Sequence, residues 1–304
     1  MFCRIMADIN DIKDADVDMV SGELTEHFKK KYCLKDCKSV GLDDIYVLHL
    51  SVNPEGKILS GLSNQKVCTH DIALNKIKSE SIDNPIIGAK FSPLHPDLFY
   101  IGTNENIQLW DSRTFAKEVT FDLQKLDKDK RPKPLLSFDM NCEDKYLSAG
   151  TEVLNHDAFV VFWDIRGGKS LLGGYWETLG DDVTVNQFSQ QNANQLMSAS
   201  ADGQVNLFDI SQECEDEALV TSLNAEAPIR SLTYLQEDKV AIVLDHEEAI
   251  LWKTYESEPY RTFSREDFTV AIRFVFLIFV IRFQLFDKFT LFFQTKNHTM
   301  DLCL

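Results

Sequence analysis

Basic side chains are scarce in this chain of 304 residues, which has 31 lysines and arginines against 48 aspartates and glutamates. The formal net charge is therefore −17. Proteins bind the nucleic-acid backbone mainly through basic groups that displace its counterions. The charge balance argues against that mode of binding, so we expect no nucleic-acid partner.

Cysteine is too sparse and too scattered for a disulfide framework. The seven cysteines stand at positions 3, 33, 37, 68, 142, 214 and 303. An odd number spread through a chain of this size fits a reducing compartment. Residues 1–20 carry five aspartates and no apolar core, which excludes a secretory signal there. We therefore predict a cytoplasmic or nuclear location.

Phosphate- and calcium-binding loops are present only in fragments. Residues 166–170 end like a phosphate-binding loop, but Trp163 stands where the first glycine is required and no helix pattern follows. Asp14, Asp16 and Asp18 have the spacing of a calcium loop, yet its central glycine and its final glutamate are missing. We interpret the first segment as a connecting loop and the second as a solvated acidic lead.

Metal and nucleophile motifs are also incomplete. Cys33 and Cys37 have no second Cys or His pair at metal-ligand spacing, and His246 has no second histidine four positions later. The chain has no Gly-x-Ser-x-Gly nucleophile elbow. Asn297 begins a glycosylation motif, but a reducing compartment would leave it unused. We predict no catalytic residue, no metal site and no cofactor.

Residue pairs of similar type recur along the middle of the chain, and we name them the repeat marks. They are His70-Asp71, Trp110-Asp111, Trp163-Asp164, Phe208-Asp209 and Trp252-Lys253. A spacing of about 45 residues is typical of propeller blades built from four short strands.

Each repeat mark closes an apolar run that is too short for a helix and rich in β-branched and aromatic residues. A second run precedes it across a turn such as Ala201-Asp202-Gly203, and a third lies further upstream, as at residues 183–188. The order of strand, turn, strand, turn, strand and mark occurs five times. We therefore predict an all-β propeller with about five recognisable blades.

Several segments are similar to proteins of the WD-repeat β-propeller family. They are Ser-Phe-Asp-Met-Asn-Cys at 137–142, Ala-Gly-Thr-Glu at 149–152, Val-Phe-Trp-Asp at 161–164, Asp-Asp-Val-Thr at 181–184, Asp-Gly-Gln-Val-Asn-Leu-Phe-Asp at 202–209 and Glu-Ala-Leu-Val-Thr at 217–221. The resemblance covers about residues 42–267. It implies a WD40-type propeller, usually of seven blades, with no family-wide catalytic centre. The positions predicted to have a structural role in the repeats are Asp71, Trp110, Asp111, Trp163, Asp164, Asp202, Gly203, Phe208, Asp209 and Trp252.

The chain departs from the WD-repeat pattern between its blades. The Gly-His pair that usually precedes each blade is missing, and Asp83, Asp181 and Asp182 stand in comparable places. The buried hydrogen-bond relay of an ideal repeat is therefore incomplete. We expect the blades to be held together more by apolar packing.

The two ends lie outside the repeat pattern. Residues 1–41 form an acidic lead, and part of it could supply the outer strand that closes the propeller. Residues 268–304 form an atypical tail with nine of the 21 phenylalanines. Three interpretations of this tail stay open: a non-native end that replaces two blades, an extra strand pair, or a membrane anchor. A span over residues 268–286 would have to move both Arg273 and Arg282 to the interfaces.

Two charged loops are exposed candidates for partner binding. The basic one contains Lys125, Lys128, Lys130, Arg131 and Lys133, with Lys128, Lys130 and Arg131 as the residues expected to bind a partner, and the acidic one covers residues 213–217. Such runs are commonly solvated connectors, but propeller loops are also where partners dock. We expect the basic loop to engage an acidic protein segment.

These observations predict a non-catalytic scaffold for protein–protein interaction, with protein partners and without a membrane or nucleic-acid partner. The first alternative is an enzyme accessory or hydrolase built on a propeller, which would require carboxylates and histidines to converge. Asp139, His156 and Asp157 are the candidates for that site, although they form no recognisable constellation in the sequence. The second alternative, a membrane-tethered adaptor, depends on the tail.

Overall fold

The computed structural model describes residues 37–39, 45–123, 133–154, 157–167, 171–236, 238–246, 248–264, 291–294 and 300–303. All of them fall within one compact unit, residues 36–304. The acidic lead and the tail therefore lie mostly outside the described residues. Lys125, Lys128, Lys130 and Arg131 of the basic loop also lie outside them, whereas Lys133 is described.

The described chain is built almost entirely from short antiparallel strands. A first strand, β1, covers Cys37–Ser39. It is followed by five four-stranded sheets, which we number as blades 1 to 5 in chain order. Blade 1 contains β2 (Val47–Val52), β3 (Ile58–Leu62), β4 (Lys66–His70) and β5 (Lys76–Ser81). Blade 2 contains β6 (Ile86–Phe91), β7 (Leu98–Thr103), β8 (Asn106–Asp111) and β9 (Ala116–Asp122).

The remaining blades repeat the same order. Blade 3 contains β10 (Leu135–Met140), β11 (Tyr146–Thr151), β12 (Val160–Asp164) and β13 (Leu171–Tyr175). Blade 4 contains β14 (Val183–Phe188), β15 (Gln195–Ser200), β16 (Gln204–Asp209) and β17 (Leu219–Asn224), with the single-turn helix α1 (Glu215–Ala218) leading into β17. Blade 5 contains β18 (Ile229–Gln236), β19 (Lys239–Leu244), β20 (Ala249–Lys253) and β21 (Arg261–Phe263).

The predicted fold class is confirmed, because the chain is all-β and arranged as five propeller blades. Within each blade the strands pair in sequence order, and every pairing is antiparallel. The third strands, β4, β8, β12, β16 and β20, end at the repeat marks. Each mark therefore lies where the chain leaves the interior of a sheet and turns into its outer strand.

Alternate side chains of one strand face opposite neighbouring blades. In β7, Phe99 and Ile101 pack in a cluster with blade 1, whereas Tyr100 packs in a cluster with blade 3. Val160 and Phe162 of β12 likewise face blade 4, and the residues between and after them face blade 2. Because both faces are covered, the second and third strands are buried along almost their whole length rather than at every other position.

Phe138 of β10 is the clearest case of fit between two blades. Its ring lies against Gly88 and Gly102 of blade 2, where an added Cβ would come within 2.5 Å and 2.4 Å of ring carbons. Phe138 is 3% exposed. Glycine is required at both positions because the neighbouring backbone has to approach a large aromatic ring closely.

Polar bonds between blades are more extensive than the sequence indicated. The Ser137 hydroxyl donates to the Val183 carbonyl (2.9 Å), and the Thr184 hydroxyl donates to the Ile229 carbonyl (3.0 Å). Asp182, one of the substitutes for the missing Gly-His pair, accepts a hydrogen bond from the Val153 N–H at 2.7 Å. The expectation that the blades are held together more by apolar packing stays a prediction, and these hydrogen bonds add polar links between neighbouring blades.

A small separate sheet joins the two ends of the described chain. It has the order β1, β23 (Met300–Cys303), β22 (Leu291–Gln294), with both pairings antiparallel. β1 pairs here rather than with a blade among the described residues. No helix in the described residues combines the length and apolar character that crossing a bilayer requires. The span considered over residues 268–286 lies outside them.

Candidate functional site

The aspartates of the repeat marks close the turn into the outer strand. Asp111 accepts the Arg113 N–H at 2.7 Å, Asp164 accepts the Arg166 N–H at 2.8 Å, and Asp209 accepts the Ser211 N–H at 3.0 Å. In each case the donor stands two residues after the aspartate, which is the geometry of an Asx turn. Asp71 instead accepts the N–H of Asn75 at 2.8 Å. These carboxylates are therefore engaged in local structure.

The large aromatic residues of four repeat marks are buried between blades. Trp110, Trp163, Phe208 and Trp252 are between 0% and 8% exposed. The indole N–H of Trp110 donates to Gln108 Oε1 (3.2 Å), and that of Trp252 donates to the carbonyl of Glu256 (2.8 Å). Large buried rings of this kind supply packing area rather than a surface for a ligand.

Asp202 and Gly203 form the turn between β15 and β16. Asp202 Oδ1 accepts the Gln204 N–H at 3.0 Å and also bonds the Ser200 hydroxyl. Gly203 has φ of +91°, and an added Cβ would lie 2.9 Å from the Ala227 nitrogen. Only glycine satisfies both conditions without strain.

The carboxylates considered for a hydrolase site lie in different surroundings. Asp139 is 5% exposed and bonds the Lys90 ammonium (2.7 Å) and the Phe188 N–H (2.7 Å), so it links blades 2, 3 and 4. Asp157 is exposed in the loop after β11, and His156 lies outside the described residues. The structure therefore does not bring Asp139 and Asp157 together as a catalytic pair.

Asp144 is a second buried carboxylate that joins two blades. It lies in the turn between β10 and β11 of blade 3, accepts the Leu94 N–H of blade 2 at 3.2 Å and bonds the Ser92 hydroxyl. Burial raises the pKa of Asp144, and these hydrogen bonds oppose the rise. Ser92 and Leu94 are structural groups at the junction of the two blades.

Metal-ligand geometry is also absent from the described part of the chain, where no three His, Cys, Asp or Glu side chains are grouped so as to hold an ion. Cys37 is described only in its backbone, and Asp14, Asp16, Asp18 and Cys33 lie outside the described residues. Cys68, Cys142 and Cys214, whose side chains are described, are free thiols.

A groove lies between the outer edge of blade 3 and the loop that follows the third strand of blade 4. Its volume is about 550 Å³, and we name it the outer groove. One wall is the exposed edge strand β13 with Trp176 after it, and the other is the acidic loop before and within α1. Tyr146, Phe162, Tyr175 and Ile210 contribute apolar surface to its lining.

Glu215 holds the two walls of the outer groove together. Its carboxylate accepts the N–H groups of Trp176 (2.7 Å), Glu177 (3.0 Å) and Thr178 (2.9 Å), and the Thr178 hydroxyl at 2.8 Å. The acidic loop was predicted as a connector that could bind a partner. The structure shows that one of its four acidic residues is engaged in positioning the opposite wall.

Tyr175 packs between aromatic rings of the two blades at the base of the groove. Its ring centroid is 4.8 Å from that of Phe208 and 5.0 Å from that of Phe162. Burial, followed by the charge of Glu215, raises the pKa of Tyr175 to about 12. The phenol is therefore neutral at physiological pH, and this part of the groove is uncharged.

The sequence did not identify the apolar half of the outer groove. Leu172 and Trp176 are 55% and 53% exposed, which is unusual for such large apolar side chains. Cys214 is also exposed and lines the same groove. The available signal was the segment Leu-Leu-Gly-Gly-Tyr at Leu171–Tyr175, an outer strand without a charged residue.

Comparison with known proteins gives WD-repeat relatives. An uncharacterised WD repeat-containing protein of Saccharomyces cerevisiae is 29% identical over 224 residues, which are 71% of this chain and 54% of the relative. A second such protein, from Schizosaccharomyces pombe, is 24% identical over 171 residues, 55% of this chain and 50% of the relative. The WD repeat-containing protein 89 homolog of Dictyostelium discoideum is 26% identical over 198 residues, 64% of this chain and 50% of the relative.

These relatives confirm the predicted similarity to WD-repeat proteins, and one of them is a WD repeat-containing protein 89 homolog. The chain spans about half the length of the curated relatives that it matches. No protein-family model matches it. WD-repeat propellers are generally non-catalytic and support protein interactions.

Proposed function

We propose that this chain, which is similar to WD-repeat proteins and folds as five propeller blades, is a non-catalytic scaffold that binds protein segments at its surface. The outer groove is the observation that carries this proposal. It combines exposed Leu172 and Trp176 with a volume of about 550 Å³. Exposed apolar surface rimmed by polar groups is typical of protein interaction sites.

The carboxylates considered for catalysis and those of the repeat marks are already bonded to structural groups, which supports the scaffold over the hydrolase alternative. Asp139 is bonded to Lys90 and to the backbone of blade 4, and the mark aspartates are bonded to turn N–H groups. A hydrolase needs a nucleophile, a base and a stabilising group around one substrate position. The bonds made by these carboxylates are structural, whereas a scaffold requires only a stable surface.

Proximity labelling with the full chain tests the proposal. A ligase fused to residues 1–304 should label a reproducible set of proteins that the ligase alone does not label. Recovery of the same proteins with both would contradict the scaffold. The experiment also reports whether the labelled proteins are cytoplasmic or nuclear, the location predicted from the cysteine pattern.

The basic loop allows a separate test of one docking surface. Replacing Lys128, Lys130 and Arg131 by glutamate should reduce recovery of any partner with an acidic segment, because attraction becomes repulsion. Unchanged recovery of every labelled protein would remove the loop from the proposal and leave the scaffold in place.

A further inference from the structure

Strand β13, one wall of the outer groove, lacks the usual protection of an exposed sheet edge. An edge strand presents unpaired N–H and C=O groups, and proteins commonly place charged residues there to prevent pairing with another chain. The outer strands of three blades carry such residues: Lys76, Lys78 and Glu80 in β5, Lys117, Glu118 and Asp122 in β9, and Arg261 in β21. β13 has none, and its second residue is the exposed Leu172.

The backbone of β13 is also accessible. Gly173 has open space where a side chain would stand, with no atom within 4 Å of an added Cβ. Gly174 is different, because an added Cβ would lie 2.7 Å from the Val160 carbonyl oxygen of β12. One glycine therefore allows close pairing inside the blade, and the other leaves bare backbone toward the groove.

Strand β17 is a useful comparison within the same chain. It is the outer strand of blade 4 and has no charged residue either, and its Val220 is 47% exposed. However, β17 contributes no residue to the lining of the outer groove. The groove therefore distinguishes β13 from the other uncharged edge.

The surface around β13 favours side chains of two kinds. Phe162, Tyr175 and Ile210 offer an apolar patch for aliphatic groups. Glu177, Glu213 and Asp216 line the groove as exposed carboxylates, and none forms an ion pair with a basic side chain of the described residues. The net charge of −17 adds long-range attraction for a cation.

We propose that the outer groove binds an extended basic peptide, which adds to β13 as a further strand of blade 3 and alternates aliphatic with lysine or arginine side chains. Main-chain hydrogen bonds to an edge strand provide affinity in this mode, and pockets for alternate side chains provide specificity. The aliphatic side chains face the apolar patch and the cations face the carboxylates. This inference rests on the proposed scaffold function and specifies its partner class.

The test measures binding of synthetic peptides to the full chain by fluorescence anisotropy. The probe is a short labelled peptide of alternating lysine and valine, compared with a glutamate and valine peptide and with a backbone N-methylated form of the probe. The probe should bind at least about tenfold more tightly than either comparison peptide, since one lacks the charge and the other lacks the N–H donors. Equal binding of the N-methylated form would exclude strand addition.

Matched variants locate the site. Leu172→Lys should weaken probe binding at least about tenfold, because a lysine on β13 repels the basic probe and opposes pairing of another strand at this edge. Val220→Lys makes the same charge change on β17 and should have no effect. The pair Glu213→Lys with Asp216→Lys should weaken binding more than the pair Glu80→Lys with Glu118→Lys. Equal effects within either comparison would show general attraction to an acidic protein and overturn the proposal.

The alkylation rate of the Cys214 thiol reports whether the probe occupies the outer groove. Bound probe should slow alkylation of Cys214, which lines the groove, and leave Cys142 in the turn after β10 unaffected. An unchanged Cys214 rate with the probe bound would contradict the assigned site. If the chain instead dimerises through β13, Leu172→Lys will yield monomers and the probe will not compete, which also overturns the proposal. If the probe does not bind but proximity labelling still yields partners, the peptide proposal is wrong and the proposed scaffold function stands.

Discussion

Aspartate illustrates how one residue type serves two structural purposes in these blades. Asp111, Asp164 and Asp209 act locally by accepting N–H groups of the turn that follows them. Asp139 acts between elements, because its two oxygens accept hydrogen bonds from blade 2 and blade 4. The difference lies in the partners, which belong to other blades for Asp139 and to the following turn for the mark aspartates, and it leads to different expected responses to substitution and pH.

Asp139→Ala should lower the free energy of unfolding by about 3 kcal/mol, because it leaves the Lys90 ammonium and the Phe188 N–H without their acceptor in a buried site. Asp97→Ala removes an exposed partner of Lys57 and should cost less than about 1 kcal/mol. Urea unfolding of both variants measures the difference. Similar losses for the two would show that Asp139 is not the main link between these blades.

Because of Asp111, part of the free energy of unfolding should depend on pH in the acidic range. Hydrogen bonds from the Arg113 side chain and then from its N–H lower the pKa of Asp111 from 3.8 to about 2. The stabilisation by the ionised carboxylate is therefore complete above pH 3.8 and is lost as the pH falls through about 2.

Asp111→Asn should remove this contribution at neutral pH and flatten the decline of unfolding free energy over the same acidic interval. Denaturant unfolding at a series of pH values measures the two slopes. Because other carboxylates titrate in both proteins, the difference between the curves is the informative quantity. Parallel curves would mean that the Arg113 contact does not contribute.

At the scale of the element, the outer strands differ more than the inner ones. β5 is exposed at five of its six positions and rich in lysine, whereas β13 combines exposed Leu172 with two glycines. The second strands are nearly uniform by comparison, since β15 is buried at every position. Packing on both faces restricts the inner strands, and the outer strands are free to vary in charge and shape.

The two glycines of β13 should respond differently to the same added methyl group. Gly174→Ala should cost about 1 to 3 kcal/mol, because the new Cβ would lie 2.7 Å from the Val160 carbonyl oxygen. Gly173→Ala faces open space and should change stability by less than about 0.5 kcal/mol. Thermal unfolding of both variants provides the comparison. An equal loss would mean that β13 does not pair with β12 in this register.

At the scale of the whole molecule, four hydrophobic clusters of the described residues each span two consecutive blades. One cluster joins blades 1 and 2, another blades 2 and 3, a third blades 3 and 4, and a fourth blades 4 and 5. A repeat array with contacts of this kind has a stability that depends on the interfaces as well as on each unit. A core change in one blade should therefore affect its neighbours.

Leu147→Ala in β11 should lower the free energy of unfolding by about 3 kcal/mol, because Leu147 is 0% exposed in the cluster of blades 2 and 3. Hydrogen exchange should accelerate in β7 of blade 2 as well as in blade 3. Leu172→Ala, at an exposed position, is the control and should leave exchange in β7 unchanged. Acceleration confined to blade 3 would show that the blades open independently.

The periodic marks and apolar runs were enough to predict the five blades, the first three strands of most of them and the similarity to WD-repeat proteins. These features are local, because each strand pairs with the next along the chain across a short turn. The outer strands were not located from the sequence. Their short, exposed segments, such as the lysine-rich β5, have no apolar pattern to indicate a strand.

The outer groove required the tertiary structure, because its walls come from two blades. Glu215 and Trp176 are about forty residues apart, and nothing in either segment indicates that a carboxylate of one bonds the backbone of the other. Asp139 was likewise recognisable as a carboxylate but not as a link between three blades. Residue patterns report which face of a strand is covered, whereas docking of one sheet on another decides which distant side chains meet.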